Sequence, residues 1–322
     1  FRGNLSSAYF CALLDEIKPK VVITLIDNSL KFFEISRILK NKCKFIAIQN
    51  AARYDLMRYK YLFEKKLIKQ DLRKKFYLDN FYCFGDYEIS HYKENNVTVK
   101  KAKAIGSLKL SNYFLNLKEN NKSVPEKKFD ISVVSEGYLQ MDKEYNVENL
   151  SKNWSKIISF SIQYARENNL KFNFIFKREK IPGNFNYENE INFVKKYLNE
   201  EEFEFIMNNC TFKDKKAFSS YNSIMSCDIL VGCVSSMLRE KLAVKGKILS
   251  CNFSGMNMFN FPINEICFLN DPSYTRFSER LSELRSLDDI KFIKKINEKN
   301  QYLINSNTDA NKEIRNFINN NL

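Results

Sequence analysis

The residues best placed to do chemistry fall in one run, Cys227 to Cys251, with the sequence CDILVGCVSSMLREKLAVKGKILSC. A buried strand leads through Gly232 to paired serines that open a helix. A helix N-terminus offers unpaired backbone N–H groups and the positive end of its dipole to an anion. Ser235 and Ser236 add hydroxyl donors suited to a monophosphate or diphosphate. Glu240, four residues on and on the face of Ser236, suits the hydroxyls of a ribose. Gly246 then follows in the usual C′ position. The same residues have a plainer use, with Ser235 or Ser236 as N-cap and Glu240 as a first-turn partner of the dipole.

In an open parallel sheet, ligands bind beyond the carboxyl ends of the strands. The residues directly after each strand therefore matter most. Ser135-Glu136-Gly137 follows one strand, Lys177-Arg178-Glu179 a second, and Thr211-Phe212-Lys213-Asp214 a third. With Gly232 to Ser236 after a fourth, small hydroxylic, glycine and basic residues recur at successive strand ends, as a phosphate-bearing ligand requires.

The elements that must position them alternate in type. Strands are expected at Phe129 to Val134, Lys171 to Phe176, Phe203 to Met207, Asp228 to Val231 and Ile248 to Cys251. Helices are expected at 149–168, 187–199, 217–226 and 236–244. Repeated β-then-α units specify a parallel, doubly wound sheet. The N-terminal part shows the same alternation, with a helix over 6–17 ended by Pro19 and a strand at Val21 to Ile26 whose apolar run predicts cover on both faces. Asp27, Asn28 and Ser29 supply cap chemistry for a helix through Leu39, and Phe45 to Asn50 is the next strand. Residues 54–77 read as a charged helical segment, with further strands ending near Gly85 and at Ala102 to Gly106.

The chain thus divides into an N-terminal Rossmann-like domain at 1–116, a linker at 117–128, a C-terminal ligand-binding domain at 129–270 and helices at 271–322 that pack back on the body. At 322 residues two domains are the default. The first domain holds about four strands, fewer than a complete domain of its kind. Its first β-α-β portion is expected to be missing or supplied from upstream of Phe1.

Lys and Arg outnumber Asp and Glu by 52 to 38, a net charge of +14. Such a balance favours phosphorylated small molecules, nucleic acid or an anionic membrane surface. An AT-rich genome accounts for the same abundance of Lys, Asn, Ile and Phe. No stretch approaches the roughly 18 apolar residues of a membrane helix. The eight cysteines sit largely in apolar segments and form no C-x-x-C, which fits a reducing cytoplasm. With His91 as the single histidine, zinc sites of ordinary spacing are excluded. No Gly-Lys-Ser/Thr, G-x-G or G-x-S-x-G occurs, removing the P-loop, the dinucleotide fingerprint and the hydrolase elbow. Helix-turn-helix, RRM and zinc-finger patterns are also missing, so no nucleic-acid partner is expected. The segment from Arg53 to Lys75 interleaves basic residues with Tyr54, Tyr59, Tyr61 and Phe63. It suits an anionic membrane surface at the inner face of the cell membrane, or equally a solvated charged helix.

The run at Cys227–Cys251 resembles the donor-binding motif of GT-B glycosyltransferases, where strand, small-residue turn, helix with Glu, Gly and basic residue recur in this order. The stretches VITLIDNS (Val22 to Ser29), FIAIQN (Phe45 to Asn50) and IGSLK (Ile105 to Lys109) resemble bacterial surface carbohydrate biosynthesis proteins of that fold. Together the resemblance covers most of residues 8–255. It implies an α/β fold of two Rossmann-like domains, and a sugar moved from a nucleotide-activated donor to a lipopolysaccharide or capsule acceptor, without metal or cofactor. A lipid-linked acceptor belongs to the same expectation. Donor binding falls on Ser135, Glu136, Gly137, Lys177, Arg178, Ser235, Ser236 and Glu240. The catalytic base falls on Asp27, after a buried strand, with Asp86 as second choice and Glu136 at the rim of the second domain. Asp27 has the plainer use of a helix N-cap, which its place before the helix favours over catalysis. Two departures leave the donor open: Ala51 stands where the family has glycine, and the His-Pro pair of relatives using cytidine-monophosphate donors is missing. A related protein that binds nucleotide or glycan without turnover is the alternative, and a nucleic-acid-binding protein a more remote one.

Overall fold

The computed structural model describes residues 5–53, 55–137, 139, 142–143, 148–263, 266–297 and 299–321. Tyr54, one of the aromatics in the basic segment, lies outside them. The chain forms two compact units, Phe1–Asn112 with Gln301–Leu322, and Tyr113–Asn300.

The first unit carries α1 (Leu5–Ile17), β1 (Val21–Thr24), α2 (Leu30–Leu39), β2 (Lys44–Ile48), α3 (Asp55–Glu64), β3 (Tyr77–Cys83), α4 (Asp86–Glu94) and β4 (Thr98–Ala104). The helix α5 (Leu108–Glu119) crosses the unit boundary. The four strands are parallel in the order β1-β2-β3-β4. Helices pack on the face presented by Phe45, Ala47 and Phe81, all fully buried with Phe33 and Phe76 beside them. Burying each such ring contributes roughly 1.5–3 kcal/mol.

Two expectations change here. β1 is an edge strand with Ile23 41% exposed, so its apolar run is not covered on both faces. Among the described residues the charged segment is helical only over α3 and a 3-10 turn at Leu72–Lys75, and Tyr77 already belongs to β3. Ser29 caps α2 by accepting from the Phe32 N–H, which leaves Asp27 for another task.

The second unit carries β5 (Phe129–Val134), α6 (Leu150–Glu167), β6 (Phe172–Ile175), α7 (Phe185–Tyr197), α8 (Glu200–Asn208), β7 (Cys210–Thr211), α9 (Ser219–Met225), β8 (Cys227–Gly232), α10 (Ser236–Ala243) and β9 (Lys247–Cys251). It ends with β10 (Phe268–Leu269), α11 (Tyr274–Ser286) and α12 (Asp289–Lys295). α13 (Asn300–Leu303) begins at the boundary, and α14 (Ala310–Asn319) belongs to the first unit. The strands are parallel in the order β10-β9-β8-β5-β6-β7, a doubly wound arrangement. Ile131, Phe174, Ile229 and Ile248 are fully buried within it.

The strand expected at Phe203–Met207 is a helix instead. Asn199 accepts from the Glu202 N–H while the Glu202 side chain accepts from the Asn199 N–H, and three glutamates fill the first turn. A capping box with acidic residues at the positive end outweighs the local β tendency of Phe-Glu-Phe-Ile.

Candidate functional site

The order β8-β5-β6 brings three turns side by side at the carboxyl end of the second unit's sheet. Two of them, after β8 and after β6, are held by carboxylates from elsewhere in the chain. Glu136, in the turn that follows β5, reaches across to the turn between β8 and α10. Its Oε2 accepts from the N–H groups of Cys233 and Val234 at 3.0 and 2.9 Å, and its Oε1 from that of Ser235 at 2.6 Å. Three successive N–H groups aimed at one point form an anion nest, and here the protein's own carboxylate fills it. Burial pushes the Glu136 carboxyl above its usual range, and Lys177 and the three N–H groups draw it back.

This changes what the helix start can offer a ligand. Ser235 is the N-cap, its Oγ accepting from the Met237 N–H at 3.3 Å and its carbonyl from the Leu238 N–H. Its own N–H is held by Glu136. The Ser236 N–H has no protein acceptor among the described residues. Both Ser235 and Ser236 are partly exposed. A ligand phosphate therefore meets the Ser236 N–H and hydroxyl and the Ser235 hydroxyl, not the whole nest.

The β6 turn is built the same way. Glu190 on α7, 5% exposed, accepts from the N–H groups of Lys177 and Arg178 at 3.0 and 3.1 Å. That leaves the Lys177 side chain partly exposed and near enough to Glu136 to act on it, with Arg178 exposed. The Arg178 carbonyl accepts from the Lys213 N–H, joining the edge strand's turn to the group. Ser135 is 1% exposed, inside the strand end.

Gly137 is required by packing. A Cβ there would lie 2.0 Å from the Phe193 ring of α7, so only glycine lets that helix close on the β5 turn. Gly246 is not the left-handed residue after α10; Lys245 is, at φ 60°. Gly246 is needed because a Cβ would meet the Lys241 stem at 2.3 Å, and Lys241 is buried with its ammonium donating to the carbonyls of Ile224 and Cys227. Glu240 is 1% exposed and accepts from the Tyr221 hydroxyl at 3.0 Å.

In the first unit, Asp27 is fully buried and is not a cap. The Arg53 guanidinium grips it, Nε donating at 3.0 and 3.1 Å to the two carboxylate oxygens while Nη2 bonds Oδ1 and, at 2.6 Å, Asn50. Burial pushes the Asp27 carboxyl up, and Arg53 counters it. The ends of β1 and β2 are thereby tied together. Asp86 opens α4 with an exposed side chain.

Sequence reasoning missed Glu190, Arg53 and Tyr221. None lies at a strand end, and each reaches its partner only through the tertiary fold. It also missed Trp154, 5% exposed on α6, whose Nε1 has no hydrogen-bond partner among the described residues and which lines a small cavity with Glu136, Gly137 and Gly232.

Among solved structures, a UDP-GlcNAc 2-epimerase of Methanocaldococcus jannaschii, with UDP-GlcNAc and UDP, superposes over 97% of this chain and 79% of its own. The TM-score is 0.57 at 11% identity. The S. aureus MnaA–UDP structure gives 0.58 at 12%, over 98% and 79%. A UDP-N-acetylglucosamine 2-epimerase of Rickettsia bellii gives 0.53 at 13%, over 98% and 78%. The chain has a GT-B-like fold. At such identities the likeness extends to the fold alone. No protein-family model and no curated protein matches the sequence. Among the described residues, no helix is long and apolar enough to cross a membrane.

Proposed function

We propose that this chain is a glycosyltransferase that takes a sugar from a nucleotide-activated donor, held at the carboxyl ends of β5, β6 and β8, and passes it to a surface-glycan acceptor. One observation carries the reading. Two turns already organised by internal carboxylates leave the Ser235 and Ser236 hydroxyls, the Ser236 N–H and the Lys177 ammonium as the donors toward solvent. Preorganised donors of this kind suit a phosphate ester, because the cost of ordering the loops falls on folding and not on binding. The solved structures of like fold that hold UDP make a uridine nucleotide the first to try. The sequence resemblance supports a lipopolysaccharide or capsule acceptor, lipid-linked or not.

Of the three carboxylates that could serve as base, Asp86 is favoured because its side chain is exposed, whereas Asp27 holds Arg53 and Glu136 holds the turn after β8. The test is a calorimetric titration with UDP, CMP and GDP, followed by product analysis with the matching nucleotide sugars and a glycan acceptor. Glycosylated acceptor with freed nucleotide supports the proposal. Recovery of a nucleotide sugar with one inverted centre replaces transfer by epimerisation at the same site. Tight nucleotide binding with neither product leaves a binding protein, and no binding of any nucleotide removes the reading.

A further inference from the structure

The first unit carries a groove of about 800 Å³ on the face of its sheet near the β4 edge, apart from the strand ends described above. Lys44, at the start of β2, and Lys100, Lys101 and Lys103, on β4, line it together with Tyr82 and Phe317. Asn80 and Tyr82 of β3 pair in register with Lys101 and Lys103, so both rows lie on one face. Phe317 of α14 meets the Tyr82 ring edge-on at 5.7 Å.

The charges in the groove do not cancel. Lys100 is paired with Asp79 at 3.3 Å, and Lys103 with Glu313 at 2.5 Å. Asp79 is itself largely buried and also accepts from the Asn80 side chain at 3.1 Å. Lys44 and Lys101 are exposed and have no carboxylate partner among the described residues. Lysines on an edge strand guard it against pairing with another chain. That use ends at β4, and explains neither Lys44 on an inner strand nor the aromatic pair beside it.

We infer that this groove binds a linear acidic oligosaccharide, its carboxylates meeting Lys44 and Lys101 and a sugar face lying on Tyr82 and Phe317. The concavity selects a single chain over a flat lipid surface, which convex basic patches serve better. Aromatic side chains pack against the C–H face of a sugar ring, while spaced ammonium groups match charges repeated along a polymer. The inference stands whether or not the chain transfers sugar, because the groove is separate from the proposed nucleotide site.

The test uses the full chain and a fluorescent hexasaccharide of uronic acids, followed by anisotropy at low and physiological salt. Neutral hexasaccharide, a single-stranded oligonucleotide of equal charge and anionic phospholipid vesicles are the competitors. Binding should weaken as salt shortens the screening length to about 8 Å. Lys44→Glu with Lys101→Glu should lower affinity about tenfold or more, with the melting temperature unchanged since both side chains are exposed. The double control Lys122→Glu with Lys152→Glu, also exposed, should change affinity by less than about twofold. An equal loss in the control would reduce the effect to bulk charge and overturn the inference. So would failure of the uronic acid oligomer to bind, or stronger competition from the oligonucleotide or the vesicles.

Discussion

Asp27 in the first unit and Glu136 in the second occupy comparable places, each a carboxylate following the first strand of its sheet. Each reads in the sequence as an acid open to substrate, and each is used internally. Asp27 is gripped by Arg53, a charge against a charge, with no exposed surface. Glu136 is gripped by three backbone N–H groups, a charge against a helix start, and stays partly exposed. A carboxylate just beyond a parallel strand sits where neighbouring turns leave unpaired N–H groups and basic side chains. Satisfying those groups is a need that every fold of this kind has, and catalysis is a need only some have. The partner decides what removing the carboxylate takes away: the counter-charge of a guanidinium in one unit, the acceptor of three backbone dipoles in the other.

The comparison predicts that Asp27→Ala is the costlier change. Arg53 is only 14% exposed along its side chain, so it would lose a carboxylate that holds it in a largely buried place. Breaking such a pair from one side costs about 3–5 kcal/mol. Denaturant unfolding should show that loss, and Asp27→Ala with Arg53→Met should recover much of it. A double variant no more stable than the single one would mean that the carboxylate has a role beyond holding Arg53.

Glu136→Gln comes next. The amide retains one acceptor oxygen and turns an NH2 toward N–H donors, so at least one charged hydrogen bond is lost, at about 1.5–3 kcal/mol. Because the turn it organises presents Ser235 and Ser236, nucleotide affinity should fall along with stability. If affinity instead rose, Glu136 would be an occupant of the anion site that ligand must displace, and the likeness to Asp27 would fail. Gly137→Ala provides a second check, since its methyl group would collide with the Phe193 ring and should lower the melting temperature.

How much of this the sequence discloses depends on the range of the interaction. The β-then-α alternation, the strand ends and the start of α10 at Ser236 are local, set by apolar runs and cap residues, and they can be read directly. The capping box at Asn199 was equally local, yet Phe203 to Met207 reads as a strand when its hydrophobic pattern is weighed without the cap. The clamps formed by Glu136, Glu190 and Arg53 join residues 97, 13 and 26 positions apart. Nothing in the spacing of those residues announces a partner, because the sheet order that brings them together is a property of the whole unit. Glu190 shows this well: on α7 it reads as one more surface glutamate until the helix is docked.

Ser235→Ala with Ser236→Ala should have a smaller effect on stability than either clamp. Losing the Ser235 cap costs about 1 kcal/mol, whereas losing one hydrogen bond to a charged phosphate weakens nucleotide binding about tenfold or more. Melting temperature and nucleotide affinity measured on the same protein separate the two. A lowered melting temperature with unchanged affinity would make the serines caps only, and the donor site would lose its main contacts.

The smallest effect belongs to a third carboxylate, Asp71, which repeats the Asp27 chemistry at short range. Its partner Arg73 is two residues away and donates from Nε at 2.9 Å and Nη2 at 2.8 Å, while the Arg73 N–H also bonds Oδ1 at 3.1 Å. These hydrogen bonds outweigh burial and hold the Asp71 carboxyl below the usual aspartate range, the opposite direction from Asp27. A lowered folded-state pKa means that the unfolded chain takes up its proton first as acid is added. The stabilisation is therefore complete above the unfolded value, about pH 3.9, and is lost as pH falls from there through the folded value. Part of it is available to the unfolded chain as well, since Asp71 and Arg73 are neighbours, and solvent reaches both side chains, so about 0.5–1 kcal/mol is expected at neutral pH. Melting curves of wild type and Asp71→Asn should run a constant distance apart from pH 7 to about 4.5 and converge below it. A gap that persisted undiminished well below that range would show that the Asp71 contribution is not the ionised carboxylate, and that distance along the chain is not what separates it from Asp27.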